Sequence, residues 1–167
     1  PFWHMVSDEA RDHVSGLYGF RNIREFKADI EFFLCHYTPV SLADVIRHLD
    51  GDGELPRRCF LPTFDDGFRE MREVVAPILQ TRGVPAAFFL ISSAIDNRAL
   101  CYPQKKSLLL RAAVKLHGSA AAREAEQVLG HAGIPGQSLP ARLRSIHFSH
   151  RQLLDELEGI LGCDFVA

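Results

Sequence analysis

Apolar residues recur along this chain with two periods, and the switches between them mark its elements. Residues 2–6 form a short apolar run that predicts a strand, and the stretch 7–19 is polar. Ile23, Phe26, Ile30, Phe33 and Leu34 then recur at three- and four-residue steps, which predicts a helix with one buried face, and Pro39 lies just past its end. Ser41 and Asp44 stand at the spacing of a capping box and open a second helix, after which DGDGELP breaks the chain. RCFLPTF predicts a strand over residues 59–64. Pro62 has no N–H to give to a ladder, which puts it at an edge or near the strand's end. In FREMREVVAPILQTRG the residues Met71, Val74, Val75, Ile78 and Leu79 make an apolar stripe, so a helix is expected, kinked at Pro77 and stopped at Gly83. The run VPAAFFLIS shows no alternation, so residues 85–92 are expected to be a parallel strand buried on both faces. Residues 59–92 then make one right-handed βαβ unit.

Past that point the pattern becomes helical. SLLLRAAVKL and AAAREAEQVLG are broken by HAGIPGQSLP, and SHRQLLDELEGILG closes the series with Ser149 and Gln152 as a capping box and Gly162 as a C-cap. The element pattern is that of an α/β protein.

Composition narrows the function classes. A length of 167 residues suits one domain with its own core, and 47% hydrophobic with 24% charged residues argues against disorder. A net charge of -2 gives no reason to expect nucleic acid or an anionic membrane surface as partner. No apolar stretch approaches the roughly 18–20 residues of a membrane span; the longest, 84–91, is strand-sized. No basic-then-apolar leader is visible. Cys35, Cys59, Cys101 and Cys163 form no CxxC pair, which excludes a zinc knuckle by spacing, and they are expected to be buried thiols. Such thiols favour a reducing compartment, hence the cytoplasm.

The chemistry concentrates at TFDDG, residues 63–67. Ligands of parallel sheets bind at the carboxyl ends of strands, and Asp65 and Asp66 are expected there. Neighbours on a strand point to opposite faces, but a turn allowed by Gly67 removes that restriction and lets both carboxylates face one pocket. Two carboxylates held close do not both ionise cheaply, and a metal cation or a shared proton resolves the repulsion. The competing reading is a solvated turn at Asp66–Gly67 with Asp65 as a helix N-cap.

TFDDG on a strand, followed by a helix and an AAFFL strand, resembles the first motif of the polysaccharide deacetylase family, the carbohydrate esterases that share the NodB homology domain. FWHMVSDE is similar to a histidine-bearing first strand of some members, so the resemblance covers residues 1–95. It implies a distorted (β/α) barrel and metal-dependent hydrolysis of N-acetyl or O-acetyl groups on a glycan. Asp65 would be the general base that activates water, Asp66 a metal ligand, and His4 a residue lining the site. The implied metal is divalent, zinc first, with cobalt, nickel or manganese as substitutes.

The family's second motif, two histidines four residues apart, finds no match. His147 and His150 are three apart, can share one face of a helix, and are the remaining candidate metal ligands. His13, His36, His48, His117 and His131 have no partner spacing and are expected on surfaces. The expected strands number three, against about eight in a closed barrel. The expectation is therefore an incomplete barrel, with residues 1–96 as the N-terminal part of a deacetylase domain. Residues 97–167 would be a mostly helical insertion, the domain continuing beyond them. The metal site is incomplete, the isolated chain inactive, and open barrel edges invite self-association. The partner is an acetylated glycan. Two other functions stand beside this one. The first is a non-catalytic relative of the same fold that binds glycan or protein. The second is magnesium-dependent phosphoryl transfer by the Asp pair, for which no GxxxxGK[ST] loop is present.

Overall fold

The computed structural model describes residues 1–97, 99–163 and 165. In chain order the elements are β1 (Phe2–Trp3), α1 (Asp12–Ser15), α2 (Ile23–His36), β2 (Thr38–Pro39), α3 (Leu42–Leu49), β3 (Cys59–Phe60), β4 (Thr63–Phe64), α4 (Ala76–Gln80), β5 (Ala87–Phe88), α5 (Tyr102–Lys115), α6 (Ala120–His131), α7 (Leu139–Ser145) and α8 (Gln152–Ile160). They divide between two compact units, Pro1–Ala10 with Phe20–Ile91 and Arg11–Gly19 with Ser92–Ala167.

In the first unit β4 lies between β1 and β5, all parallel, with Phe2 opposite Thr63, Trp3 opposite Phe64, and Phe64 opposite Phe88. A separate parallel pair joins β2 to β3. The strand expected over 59–64 is thus two strands, and Pro62 is the cause. It gives its carbonyl to the Ala87 N–H at 3.1 Å but has no N–H of its own. The run changes partners there, from β2 before the proline to β1 and β5 after it. Pro62 therefore leads into the central strand, not an edge.

Residues 2–6 shorten to β1, and Val6 returns as an isolated parallel bridge to Arg21. Residues 85–92 shorten to β5, and the expectation of burial on both faces fails. Ala87 is buried, but Phe88, Phe89 and Leu90 are exposed, Leu90 to 64%. In its sheet β5 is an edge strand with β4 as its partner, so half of its surroundings are open.

The core of this unit is aromatic. Phe26 and Phe64 are fully buried, Trp3 stacks on Phe64 at 5.4 Å between ring centroids, and Phe26 meets Trp3 edge-on at 5.3 Å. Each fully buried phenylalanine contributes about 1.5–3 kcal/mol of transfer free energy. Helix α2 starts with a complete capping box, Asn22 with Glu25, and α3 with another, Ser41 with Asp44. The Ser41 hydroxyl and backbone N–H, with Arg47, hold the Asp44 carboxyl down at about 2. The helix before β5 changes its winding ahead of Pro77. It begins as a π-helical turn, Met71–Val75, in which the Ala76 N–H reaches the Met71 carbonyl. Pro77 follows directly on that turn, as the second residue of α4. Gly83, at φ 62°, ends the element as expected.

The second unit is helical. Leu109, Leu129, Leu143, Leu154 and Leu157 from α5 to α8 form its core. The Ser107 hydroxyl donates to the Asp12 carbonyl at 2.7 Å and accepts the Gly16 N–H at 3.1 Å, which pins α1 to α5. Lys105 ties α5 to α8 through Asp155 and Glu158. The Lys106 ammonium donates to the carbonyls of Arg144 and Ile146 at the end of α7. Ser149 caps nothing: its hydroxyl sits 3.1 Å from His150 Nδ1, within the 3₁₀ turn Phe148–His150 that precedes α8. Of the segment 97–167, residues 98, 164, 166 and 167 lie outside the described residues.

The architecture is a mixed α/β fold with small, open sheets. Barrel closure is not seen among the described residues. The four cysteines are thiols, but Cys35 is exposed and the others are half-buried, so the expected burial does not hold.

Candidate active site

The parallel register of β1 and β4 builds the site. Trp3 pairs with Phe64, and the Asp65 N–H continues the ladder by donating to the Trp3 carbonyl at 3.1 Å. One step further along both chains come His4 and Asp65. Their side chains therefore arrive side by side at the carboxyl ends of the two strands, with His4 Nδ1 3.3 Å from Asp65 Oδ2. Both are about one-third exposed, so the pair is open to water and to a ligand.

Asp66 does not continue the strand. Its φ is 71° and that of Gly67 is 73°, so two successive residues take the left-handed conformation. Glycine enters that region freely; aspartate enters at a cost that its short polar side chain reduces. Gly67 is also crowded, because a Cβ there would lie 2.7 Å from the Leu90 Cδ2 atom. The turn thus swings Asp66 out of strand alternation and back toward its neighbour. Burial raises the Asp66 carboxyl above its ordinary range. The charge of His4 opposes that shift, and the Asp65 carboxylate adds to it. A carboxylate pair with one member pushed toward its neutral form is a common arrangement in acid–base sites.

His147 and His150 belong to the second unit. His147 precedes the 3₁₀ turn and His150 ends it, and both are exposed. Among the described residues no group of three His, Cys, Asp or Glu side chains is placed to hold a metal. His4 is turned to Asp65, and Asp66 is the adjoining carboxylate, so the implied divalent metal finds no complete donor set here.

Sequence reasoning missed Leu90, which packs over Gly67. It also missed the reason His4 meets Asp65. That meeting is set by the parallel register of β1 and β4, which the sequence alone does not specify.

Residues 52–128 match the polysaccharide deacetylase family. The match begins after α3 and runs into α6. It is therefore not confined to the N-terminal part of the chain, and it does not include His4. The chain is 33% identical over 100 residues to the poly-beta-1,6-N-acetyl-D-glucosamine N-deacetylases of Escherichia coli strain K12 and O157:H7. That stretch is 58% of this chain and 14% of each relative. Among solved structures, a de-N-acetylase from Aggregatibacter actinomycetemcomitans aligns at a TM-score of 0.49 and 25% identity, over 57% of this chain and 38% of that one. The Streptococcus pyogenes deacetylase PplD in complex with acetate aligns at 0.48 and 14% identity, over 93% and 78%. The family match covers less than half of this chain, and the chain spans only 14% of the length of the curated relatives it matches. Among the described residues no helix is long and apolar enough to cross a membrane.

Proposed function

We propose that this chain is part of a glycan deacetylase, with residues 1–96 as the N-terminal part of its catalytic domain and 97–167 as a helical insertion. The observation that carries this reading is the His4–Asp65 contact at the carboxyl ends of β1 and β4, with Asp66 turned in beside it. The substrate class is an N-acetylated amino sugar polymer, the chemistry named by the curated relatives.

Asp65 is the general base. Its carboxylate takes a proton from a water molecule as the water oxygen bonds to the acetyl carbonyl carbon. His4, at 3.3 Å, orients that carboxylate. When the tetrahedral intermediate collapses, the carbon–nitrogen bond breaks and Asp65 returns the proton to the departing amine, which leaves acetate. Asp66 is offered as one donor to a divalent metal whose other ligands come from outside the described residues. A metal, when bound, polarises an acetyl carbonyl. With the donors described here the isolated chain is expected to be inactive.

Self-association would use the two open sheet edges, β1 with exposed Phe2 on one side and β5 with exposed Phe89 and Leu90 on the other. A concentration-dependent mass in light scattering, abolished by Phe89→Lys, is the expected result, and a monomer at every concentration refutes it.

Acetate release from β-1,6-linked N-acetylglucosamine oligomers by the full-length gene product tests the function. Asp65→Asn should lower turnover about 10²–10⁴-fold with the fold intact by circular dichroism. Unchanged turnover removes Asp65 from the role. Complete absence of acetate release from the wild type, with retained oligomer binding, would favour a glycan-binding relative instead.

A further inference from the structure

The first unit carries a polar concavity at the start of the 59–64 run, beside β2 and β3, which form a sheet apart from β1, β4 and β5. Cys35, His36, Tyr37, Thr38, Arg57 and Arg58 line a cavity of about 660 Å³. Helix α2 ends at His36, and β2 starts at Thr38, opposite the start of β3. The Thr38 N–H donates to the Arg58 carbonyl at 2.9 Å, which brings the segments before the two strands together. Arg58 and Asp65 stand at opposite ends of the 59–64 run. β3 and β4, which lie between them, belong to different sheets, and neither arginine forms an ion pair with Asp65 or Asp66. The carboxylates of the acid turn do not neutralise these arginines.

No other described carboxylate forms an ion pair with them. Arg21, Arg47, Arg69, Arg72 and Arg82 of this unit each meet a carboxylate. Arg57 and Arg58 have no ion-pair partner and no side-chain hydrogen bond among the described residues, and both are exposed. The Tyr37 and Thr38 hydroxyls likewise have no partner among the described residues. Two guanidinium groups, two hydroxyls and an imidazole around one concavity present donors with no acceptor to receive them. Guanidinium groups pair with tetrahedral oxyanions through charged, often bidentate hydrogen bonds. The nearby C-terminus of α2 tolerates the two positive charges in the absence of an anion.

We propose that this groove binds a phosphate- or sulfate-type oxyanion, held by Arg57 and Arg58 with Tyr37 and Thr38 donating to it. The site does not depend on the deacetylase reading. The anion is either free or an anionic substituent on a saccharide, and the two sources share this chemistry.

Cys35 provides the measurement, because its thiol lies exposed on the same cavity. The rate of iodoacetamide labelling at Cys35 is read by peptide mass spectrometry on the 167-residue chain, with ionic strength held constant by sodium chloride. Inorganic phosphate is expected to slow Cys35 labelling at least fivefold at saturation and to leave Cys163 unchanged. Arg57→Gln and Arg58→Gln should each weaken the apparent affinity about tenfold, and the double variant should abolish protection. Arg24→Gln and Lys27→Gln, exposed cations on α2, should not change it. Tighter protection by glucosamine 6-phosphate than by phosphate supports a saccharide-borne anion; equal protection supports the free one. The proposal is overturned if neither probe protects Cys35, if sodium chloride alone protects as well, or if the folded double variant keeps its protection.

Discussion

Gly67→Ala isolates the backbone strain of the acid turn from the packing around it. Two terms oppose the new methyl group. The first is conformational: at φ 73° an alanine carries the left-handed penalty, about 1–2 kcal/mol. The second is steric: the Cβ would stand 2.7 Å from Leu90 Cδ2. That atom is the far end of a side chain 64% exposed, so it can swing into open space and the steric term should be small. The expected loss is therefore about 1–2 kcal/mol, nearly all of it strain. Trp3 is the only tryptophan and stacks on Phe64, one residue before Asp65. Its fluorescence during urea unfolding reports on this unit, and the midpoint should fall with an unchanged slope. Gly67→Asn should lose less, because asparagine tolerates the left-handed region. In a double-mutant cycle, Leu90→Ala should recover no more than a few tenths of a kcal/mol. The reasoning fails if Gly67→Ala matches the wild type, or if Leu90→Ala rescues most of the loss.

Two further outcomes follow from the charges. Burial raises the Asp66 carboxyl in the folded chain above its ordinary 3.8, so its contribution to stability is fully present below that pH and is lost as pH rises through the folded value. Asp66→Asn should therefore melt higher than the wild type at pH 7 and match it near pH 3; an excess that is the same at both pH values counts against the turn's electrostatics. Lys105→Met should destabilise the helical unit by about 1–3 kcal/mol, read by far-UV circular dichroism, because it strands the mostly buried Glu158 carboxylate. Desolvation opposes the Lys105 charge, but Asp155 and Glu158 outweigh it and raise the ammonium above 10.5. The lysine's contribution should hold below that pH and fade above it, so a loss of stability that is equal at pH 7 and pH 11 refutes the pairing.

The helices were legible because their signals are local. Asn22 with Glu25 and Ser41 with Asp44 cap the helices that follow them, and the apolar stripes give the buried faces. Ser149 and Gln152 carry the same spacing and failed, since Ser149 is taken up in a 3₁₀ turn where its hydroxyl meets His150. The strands were legible in place but not in extent. Their pairing depends on residues distant in sequence, and β2 is two residues long with a proline in it, which no periodicity can reveal. Pro62 was recognised as a ladder breaker, but whether it ends a strand or passes it to new partners depends on where β1 and β5 lie. At the site, the adjacency of Asp65, Asp66 and Gly67 announced a turn. That His4 would be the neighbour of Asp65 follows from parallel register, which a single sequence does not specify. The basic groove escaped notice because Arg57 and Arg58 follow the acidic loop 50–54 in sequence and meet His36 and Tyr37 only in space.

The acid turn breaks several rules that the rest of the unit obeys. Asp66 is a non-glycine residue at φ 71°, it stands beside a like charge, and burial opposes its ionisation. Each feature costs stability, and none serves the core, to which Phe64, two residues earlier, belongs. An asparagine at 66 would remove the repulsion and tolerate the backbone, and a loop without Asp65 would leave the Trp3–Phe64 ladder intact. Where a chain keeps locally unfavourable choices that its fold does not need, the reason lies in what those groups do. Here strain and charge converge on one pair of carboxylates, open to solvent beside a histidine, at the end of parallel strands where such sheets present their chemistry. Ahead of β3, at the start of the 59–64 run, stand two arginines that have no carboxylate partner among the described residues. The two ends call for ligands of opposite kinds: a proton or a cation at the acid turn, and an oxyanion at the arginines.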